Sequence, residues 1–286
     1  MGVVYLGVDV QTGQRVAVKR PRREYLSYPA FVQQFAAEVA AAKRVNGHFS
    51  ARILRADMKA DIPWFASEYI PGLTVREVVE KFGPFGEDSL WALASALYQA
   101  LEVMHGVHVV HRDLTANNVI LGDRGPRVID FGVAHTRGVP GMDQQLTVAG
   151  MIGTLHYLSP ERIQGGPPQP SWDVFSLGCL LYFAATGSMP FGSECEDSGR
   201  VCLDILHADV ALDDLPEGLR RLIIACLVKD PEPRSKVLRV YRYLPVKPRF
   251  KPEGVGWVPT RVGTHILNVT QVQARADQAT TRRATS

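Results

Sequence analysis

The sequence predicts an α+β protein of two lobes, a small β-rich one ahead of a larger, mostly helical one. Three observations predict it. Short β-branched runs crowd the first 70 residues, helical periodicity dominates the rest of the chain, and Pro71-Gly72 breaks it between the two. At 286 residues and 31.5 kDa there is room for two compact lobes with a common core. A chain that is 46% hydrophobic and 21% charged is expected to fold.

Residues 3–10 and 15–19 are β-rich and joined across Gln11-Thr12-Gly13-Gln14, a hairpin signal. Over residues 30–45, Phe31, Phe35, Val39 and Ala42 recur at helical spacing, with Glu38 among them. Ile53–Leu54 and Trp64–Ile70 read as further strands. After the break, Ser89–His105 is an amphipathic helix with Leu90, Leu93, Ala94, Leu97, Leu101 and Met104 on one face. Short extended pieces come next at Val109–Val110, Val119–Leu121 and Val128–Ile129, then helical patterns at Leu177–Ala185 and Leu219–Val228. No internal repeat is visible. The expected division is 1–70, 71–244 and a tail at 245–286 with no sustained periodicity, expected to be largely disordered.

The net charge of +3 does not imply nucleic acid, and none is expected as a partner. From Pro245 onward seven Lys or Arg stand against Glu253 and Asp277, so the tail is basic and the body slightly acidic. Scattered cations of this kind are more often solvated chain than a binding surface. Cys179, Cys195, Cys202 and Cys226 contain no C-x-x-C pair, which fits a reducing compartment. The longest apolar runs, Cys179–Ala185 and Leu222–Val228, are far short of a membrane span, and the first ten residues lack a signal-peptide pattern. The expected location is cytoplasmic.

The chemistry concentrates in His111-Arg112-Asp113-Leu114-Thr115-Ala116-Asn117-Asn118 and, 17 residues after Asp113, in Asp130-Phe131-Gly132. Asp113 and Asn118 in one tight loop, with Asp130 on a glycine-flexed turn, offer oxygen donors to one small volume. Mg²⁺ takes few protein ligands and shares the rest with phosphates, so this set suits it. Upstream, Lys19 ends a strand and Glu38 lies on a helix. An ion pair between them is expected to hold the ammonium at the phosphates. Taken singly, Asp113 reads as a turn former, Lys19 as a solvated strand end and Glu38 as a solvated helix face. Their order and spacing together give the pattern its force.

Together these motifs resemble the eukaryotic-type protein kinases, specifically the bacterial Ser/Thr kinases. Val16-Ala17-Val18-Lys19, Glu38, the His-Arg-Asp loop and Asp-Phe-Gly carry the likeness, with Ser159-Pro160-Glu161, Asp173–Gly178 and Arg234, over roughly residues 2–244. The resemblance implies the bilobal protein-kinase fold, ATP and Mg²⁺, and transfer of the γ-phosphate to Ser/Thr hydroxyls of proteins, itself included. It makes Asp113 the base, places Asn118 and Asp130 on the metal, and sets Lys19, oriented by Glu38, on the α- and β-phosphates. Val4, Ala17 and Ile120 would sandwich the adenine, and Glu68 and Ile70 would offer backbone groups to its edge. Ser67 would sit at the back of that pocket and keep it open. Gly153-Thr154 resembles the substrate loop of Ser/Thr kinases. Arg112 would meet a phosphorylated loop, with Thr147 the first candidate phosphosite and Thr154 the second. Such kinases also pair through the small lobe, so a homodimer is among the expected partners.

Two departures stand out. Gly2 and Val4 match only the last Gly and Val of the family's glycine-rich loop, so the first strand is expected to be missing and Met1 to be an internal methionine or the start of a truncated gene. Thr115 stands where the family usually carries a lysine that stabilises the transferring phosphoryl group, so slow transfer is expected. Both departures suit an alternative, a pseudokinase acting as a nucleotide-binding or interaction module. Against it stand Lys19, Glu38, Asp113, Asn118 and Asp130, since a binding module needs no base. A small-molecule phosphotransferase is disfavoured by the peptide-type substrate segment.

Overall fold

The structure, a computed structural model, describes residues 2–130, 152–192, 197–210, 212, 215–238 and 254–284. Strands β1 (Gly2–Val8) and β2 (Arg15–Pro21) form the expected hairpin, with Gly2 opposite Pro21 and Val8 opposite Arg15. With β3 (Ile53–Asp57) and β4 (Trp64–Glu68) they make a four-stranded antiparallel sheet in the order β1-β2-β4-β3. Helix α1 (Pro29–Ala42) begins on Pro29, whose fixed φ suits the first helical turn. It buries Phe31, Phe35, Val39 and Ala42, and Phe35 meets Phe65 of β4 with ring centroids 6.0 Å apart. That apolar stripe fixes the rotation of α1 and so the direction in which Glu38 points.

Past Pro71, β5 (Gly72–Thr74), β6 (Val119–Gly122) and β7 (Gly125–Val128) form a second, three-stranded sheet in sequence order. A Cβ on Gly72 would lie 2.2 Å from the Leu121 carbonyl oxygen, so only glycine lets β5 approach β6 this closely. Helix α2 (Val75–Phe82) starts in a capping box: Thr74 accepts the Glu77 N–H and Glu77 reaches back to the Thr74 N–H. The core helix is α3 (Glu87–Gly106), crossed by α6 (Pro170–Thr186), which is apolar nearly all round and buried accordingly. A Cβ on Gly178 would lie 2.8 Å from Cys226 Cβ, so α6 packs unusually tightly on α8 (Glu217–Leu227). The shorter helices are α4 (Ile152–Leu155), α5 (Pro160–Ile163), α7 (Ser198–His207) and α9 (Pro231–Ser235).

The architecture is the β-rich first part and helical second part that the sequence predicts, while Val109–Val110 forms no strand. The tail differs from expectation. Residues Thr260–Ala284 form a long helix, α10, and Trp257, Val258, Val262 and Ile266 are buried with the main core. Val258, Val262 and Ile266 recur every four residues, a one-sided stripe short enough to be lost among the polar residues around it. Among the described residues no helix is long and apolar enough to cross a membrane.

Candidate active site

The site is built on one buried carboxylate. Asp173 of α6 is fully buried, and its Oδ1 accepts the Arg112 N–H while its Oδ2 accepts the His111 N–H, both at 2.8 Å. His105 Nε2 of α3 meets the same Oδ2 at 2.8 Å. Burial pushes Asp173 up, but the His105 hydrogen bond, the His105 and His111 imidazoles and the His111 backbone donor outweigh it and hold the carboxyl below its usual 3.8. This clamp secures a loop whose backbone turns through φ +66° at Arg112. His111 Nδ1 accepts the Asp113 N–H at 3.2 Å, so its protonated Nε2 donates to the Ile129 carbonyl at 3.0 Å. The loop thereby ties itself to the chain leading into Asp130.

Asp113 and Asn118 come together as the spacing requires. Asn118 Nδ2 donates to Asp113 Oδ2 at 2.8 Å and to the Asp113 carbonyl at 2.7 Å, which turns the amide oxygen of Asn118 away from Asp113. Asp113 Oδ1 is buried with no hydrogen-bond partner among the described residues. Burial lifts the Asp113 carboxyl above its usual value. His111, Asn118 and Arg162 pull it down, and the like charge of Asp130 adds to the rise. Asp130, at φ +59°, is therefore close enough to Asp113 to be felt. Phe131, Gly132 and Thr147 lie outside the described residues.

The expected Lys19–Glu38 pair does not form. Lys19 Nζ lies 2.6 Å from Asp130 Oδ1, and Glu38 Oε1 lies 2.6 Å from Arg112 Nη1 and accepts Gln34 Nε2 at 3.0 Å. Two cations and two carboxylates thus pair in the other combination. Arg112, held out by the Asp173 clamp, reaches α1, and Asp130 takes the ammonium. Burial raises Glu38 above its usual 4.5 against the pulls of Gln34 and Arg112, and Lys19 still acts on it, though only weakly.

Val4 sits opposite Lys19 in the β1–β2 register and is 54% exposed, and Ala17 sits opposite Ser67. Gly2 backs onto Lys19: a Cβ there would lie 3.4 Å from Lys19 Cε. Ser67 Oγ donates to the Ala17 carbonyl at 3.5 Å. Ile120, half-buried, faces Thr74 and Arg127 in the second sheet, and Ile70 packs on Gly122, where a Cβ would lie 3.1 Å from Ile70 Cγ2. The Glu68 N–H is spent on the Arg52 carbonyl at 3.0 Å, while its carboxylate meets Arg52 at 2.7 Å and Arg127 at 2.5 Å. Burial works to raise Glu68, but the hydrogen bonds from Arg52 and the charges of Arg127 and Arg52 hold it below 4.5. Arg127 Nη2 also donates to the Ser50 carbonyl at 2.8 Å, so this network ties β4 to β7.

The segment around Glu161 is fixed separately. Arg234, fully buried, donates to Glu161, and Ser171 Oγ donates to the second Glu161 oxygen at 2.9 Å. Arg162 donates to the Arg112 carbonyl and lies over the Trp172 ring, 5.0 Å from its centroid. Thr115 is buried, 4% exposed. Sequence reasoning missed Arg52, Arg127, His105 and Arg162, and did not give Asp173 its clamping role. Only Asp173 stood in a recognised motif.

No group of three or more His, Cys, Asp or Glu side chains is gathered for a metal ion among the described residues. Asp130 and the amide oxygen of Asn118 would offer a divalent cation two oxygen ligands, with phosphates and water to complete its shell.

A protein kinase domain model matches residues 1–243. The chain is 41% identical over 234 residues to a probable serine/threonine-protein kinase, PkwA, of Thermomonospora curvata, covering 82% of this chain and 31% of that protein. It is 38% identical over 232 residues to the serine/threonine-protein kinase AfsK of Streptomyces griseus, covering 80% and 28%. It is 30% identical over 236 residues to PknL of Mycobacterium tuberculosis, covering 81% and 58%. The chain thus spans about a third or less of the length of the first two. A two-sheet, helix-cored fold, an aspartate loop clamped from the core, and a match over most of the chain agree: the chain belongs to the protein kinase family.

Proposed function

We propose that the protein transfers the γ-phosphoryl group of ATP to Ser or Thr hydroxyls of proteins, its own chain among them. One observation carries the reading. Asp113 is held by Asn118 through one carboxylate oxygen while the other is buried without a partner among the described residues, beside the Lys19–Asp130 pair. A substrate hydroxyl that donates to Asp113 Oδ1 is oriented for attack on phosphorus. The hydroxyl oxygen bonds to the γ-phosphorus, the bond to the β–γ bridging oxygen breaks, ADP leaves, and Asp113 receives the proton. The raised pKa of Asp113 favours that acceptance. Mg²⁺, held by Asp130 and Asn118, would neutralise charge on the phosphates. Lys19 lies beside Asp130 and would contact the same phosphates. Ala17, Ile120 and the exposed Val4 would enclose the adenine, with Glu68 and Ile70 at its edge and Ser67 behind. Cys179 and Cys226 are buried as thiols, which accords with a reducing, cytoplasmic setting.

The alternative reading, a binding module without transfer, draws on Thr115 and on the absence of a Lys19–Glu38 pair. Intact mass after incubation with Mg-ATP separates the two. Phosphate added to wild type and not to Asp113→Asn supports the kinase. A wild type that binds ATP, gains no mass and phosphorylates no protein substrate refutes it. Removal of the base or orienting group is expected to slow transfer by ~10²–10⁴.

A further inference from the structure

Residues 254–272 lie beyond the matched kinase domain, which ends at residue 243, yet they are fastened to the part of the fold that frames the nucleotide cleft. Trp257 is 2% exposed, its ring meets Phe85 edge-on with centroids 6.3 Å apart, and its Nε1 donates to the Gly254 carbonyl at 3.0 Å. Ser89 Oγ, buried at the start of α3, donates to the Trp257 carbonyl at 2.6 Å. From there α10 runs along β5 and β6, burying Val262 and Ile266. Its exposed face is fastened as well. Arg261 donates to the Phe82 carbonyl at the end of α2, with its guanidinium 5.8 Å from the Phe82 ring centroid. His265 stands 5.7 Å from the same ring and 3.4 Å from Lys81 Nζ.

The elements that α10 touches carry the cleft. β5 comes directly after Ile70 and Pro71, and β6 carries Ile120. Gly72 lets β5 close on Leu121, and Gly122 lets β6 close on Ile70, so neither strand can shift without taking the other. Trp257 anchors the start of the segment to Phe85 and Ser89, and from α10, with Val262 and Ile266 buried, packed elements run through β5 and β6 to Ile70 and Ile120.

We propose that residues 254–272 act as a brace in cis, and that their docking on β5, β6 and the end of α2 positions Ile70 and Ile120 for the adenine and so raises nucleotide affinity. The proposal rests on the nucleotide site proposed above. Docking and nucleotide binding are then coupled, and the coupling is reciprocal: whatever docking adds to nucleotide affinity, nucleotide adds to docking. A partner that captures this segment would lower nucleotide affinity without touching the cleft.

The test measures ADP binding by titration calorimetry in wild type, Trp257→Ala and Arg261→Ala, with amide hydrogen exchange of wild type with and without ADP. Arg261 is exposed and its removal opens no cavity, so Arg261→Ala keeps the test decisive if Trp257→Ala does not fold. The expected result is an ADP Kd raised about fivefold or more in the variants, with slower exchange across 254–272 when ADP is bound. A merely structural role would lower the melting temperature and leave both readouts unchanged. Wild type that binds ADP beside variants within twofold of it, with exchange at 254–272 indifferent to ADP, overturns the brace alone. Wild type that binds no nucleotide overturns the cleft assignment and the brace with it.

Discussion

Replacing Arg234 with Met removes the most demanding buried cation in the fold. Its Nε donates to the Ser171 carbonyl at 3.1 Å, its Nη1 to the carbonyls of Val228 at 2.5 Å and Lys229 at 3.2 Å, and its Nη2 to Glu161. The side chain is fully buried and lies 5.2 Å from the centroid of the Phe175 ring. Met fills a similar volume, so packing changes little, but Glu161 is left as a buried carboxylate with Ser171 alone to donate to it among the described residues. Breaking such a pair from one side costs ~3–5 kcal/mol. For a domain of this size each kcal/mol is ~2–4 °C, so the midpoint of thermal unfolding is expected to fall by roughly 6–20 °C. Far-UV circular dichroism on heating, with urea titration at 25 °C, measures both quantities. The diagnostic comparison is the double variant Glu161→Leu/Arg234→Met. Removing the orphaned charge as well should recover part of the loss, making the double less destabilised than the sum of the singles by ~1 kcal/mol or more. Strict additivity, or an Arg234→Met cost under ~1 kcal/mol, would refute the idea that the charge pair carries the tether.

The remaining predictions concern the clamp, the small sheet and the pocket. Asp173 has a folded pKa below its usual 3.8, so its contribution to stability is present above that value and lost as pH falls through the lower folded one. Asp173→Asn is therefore expected to cost ~2–4 kcal/mol at pH 7, from weakened bonds to two backbone N–H groups and His105, with the gap narrowing in urea melts below pH 3.8; a gap constant with pH would contradict the charge argument. Gly72→Ala must push β5 off the Leu121 carbonyl and should cost ~1–3 kcal/mol, whereas Gly106→Ala, with nothing within 4 Å of the new Cβ, should be neutral or slightly stabilising in the same melts. Ser67→Phe should reject nucleotides bearing a bulky N6 group by roughly tenfold or more relative to wild type, as overpacking of this size implies; equal affinities by calorimetry would remove Ser67 from the back of the pocket.

Much of the fold was legible because its signals are local. The Phe31, Phe35, Val39 stripe placed α1, the β-rich runs on either side of Gln11-Thr12-Gly13-Gln14 placed the first hairpin, and Pro71-Gly72 marked where one sheet stops and the next begins. The helix Thr260–Ala284 departs from expectation for an equally local reason. Its apolar residues are few, its cations suggested solvated chain, and no window of sequence shows that Trp257 finds Phe85 or that Ser89 meets the Trp257 carbonyl. Docking of a sparsely apolar helix depends on a receiving surface that only the folded chain creates.

At the site, the sequence named the charged residues and could not name their partners. Lys19, Glu38, Arg112 and Asp130 are two cations and two carboxylates, and either pairing satisfies the composition. Backbone geometry set from elsewhere decides between them: Asp173 fixes the turn at Arg112, which puts the guanidinium on Glu38, and the turn at Asp130 leaves its carboxylate for Lys19. The same holds for Glu68, which the sequence offered only as a backbone contact. Its carboxylate is held by Arg52 and Arg127, cations brought in by the chain entering β3 and by β7. Removing Arg127 would leave Glu68 and the Ser50 carbonyl short of a donor together, so its effect on nucleotide binding would travel through the strand that bears Ser67 and not through any contact of its own.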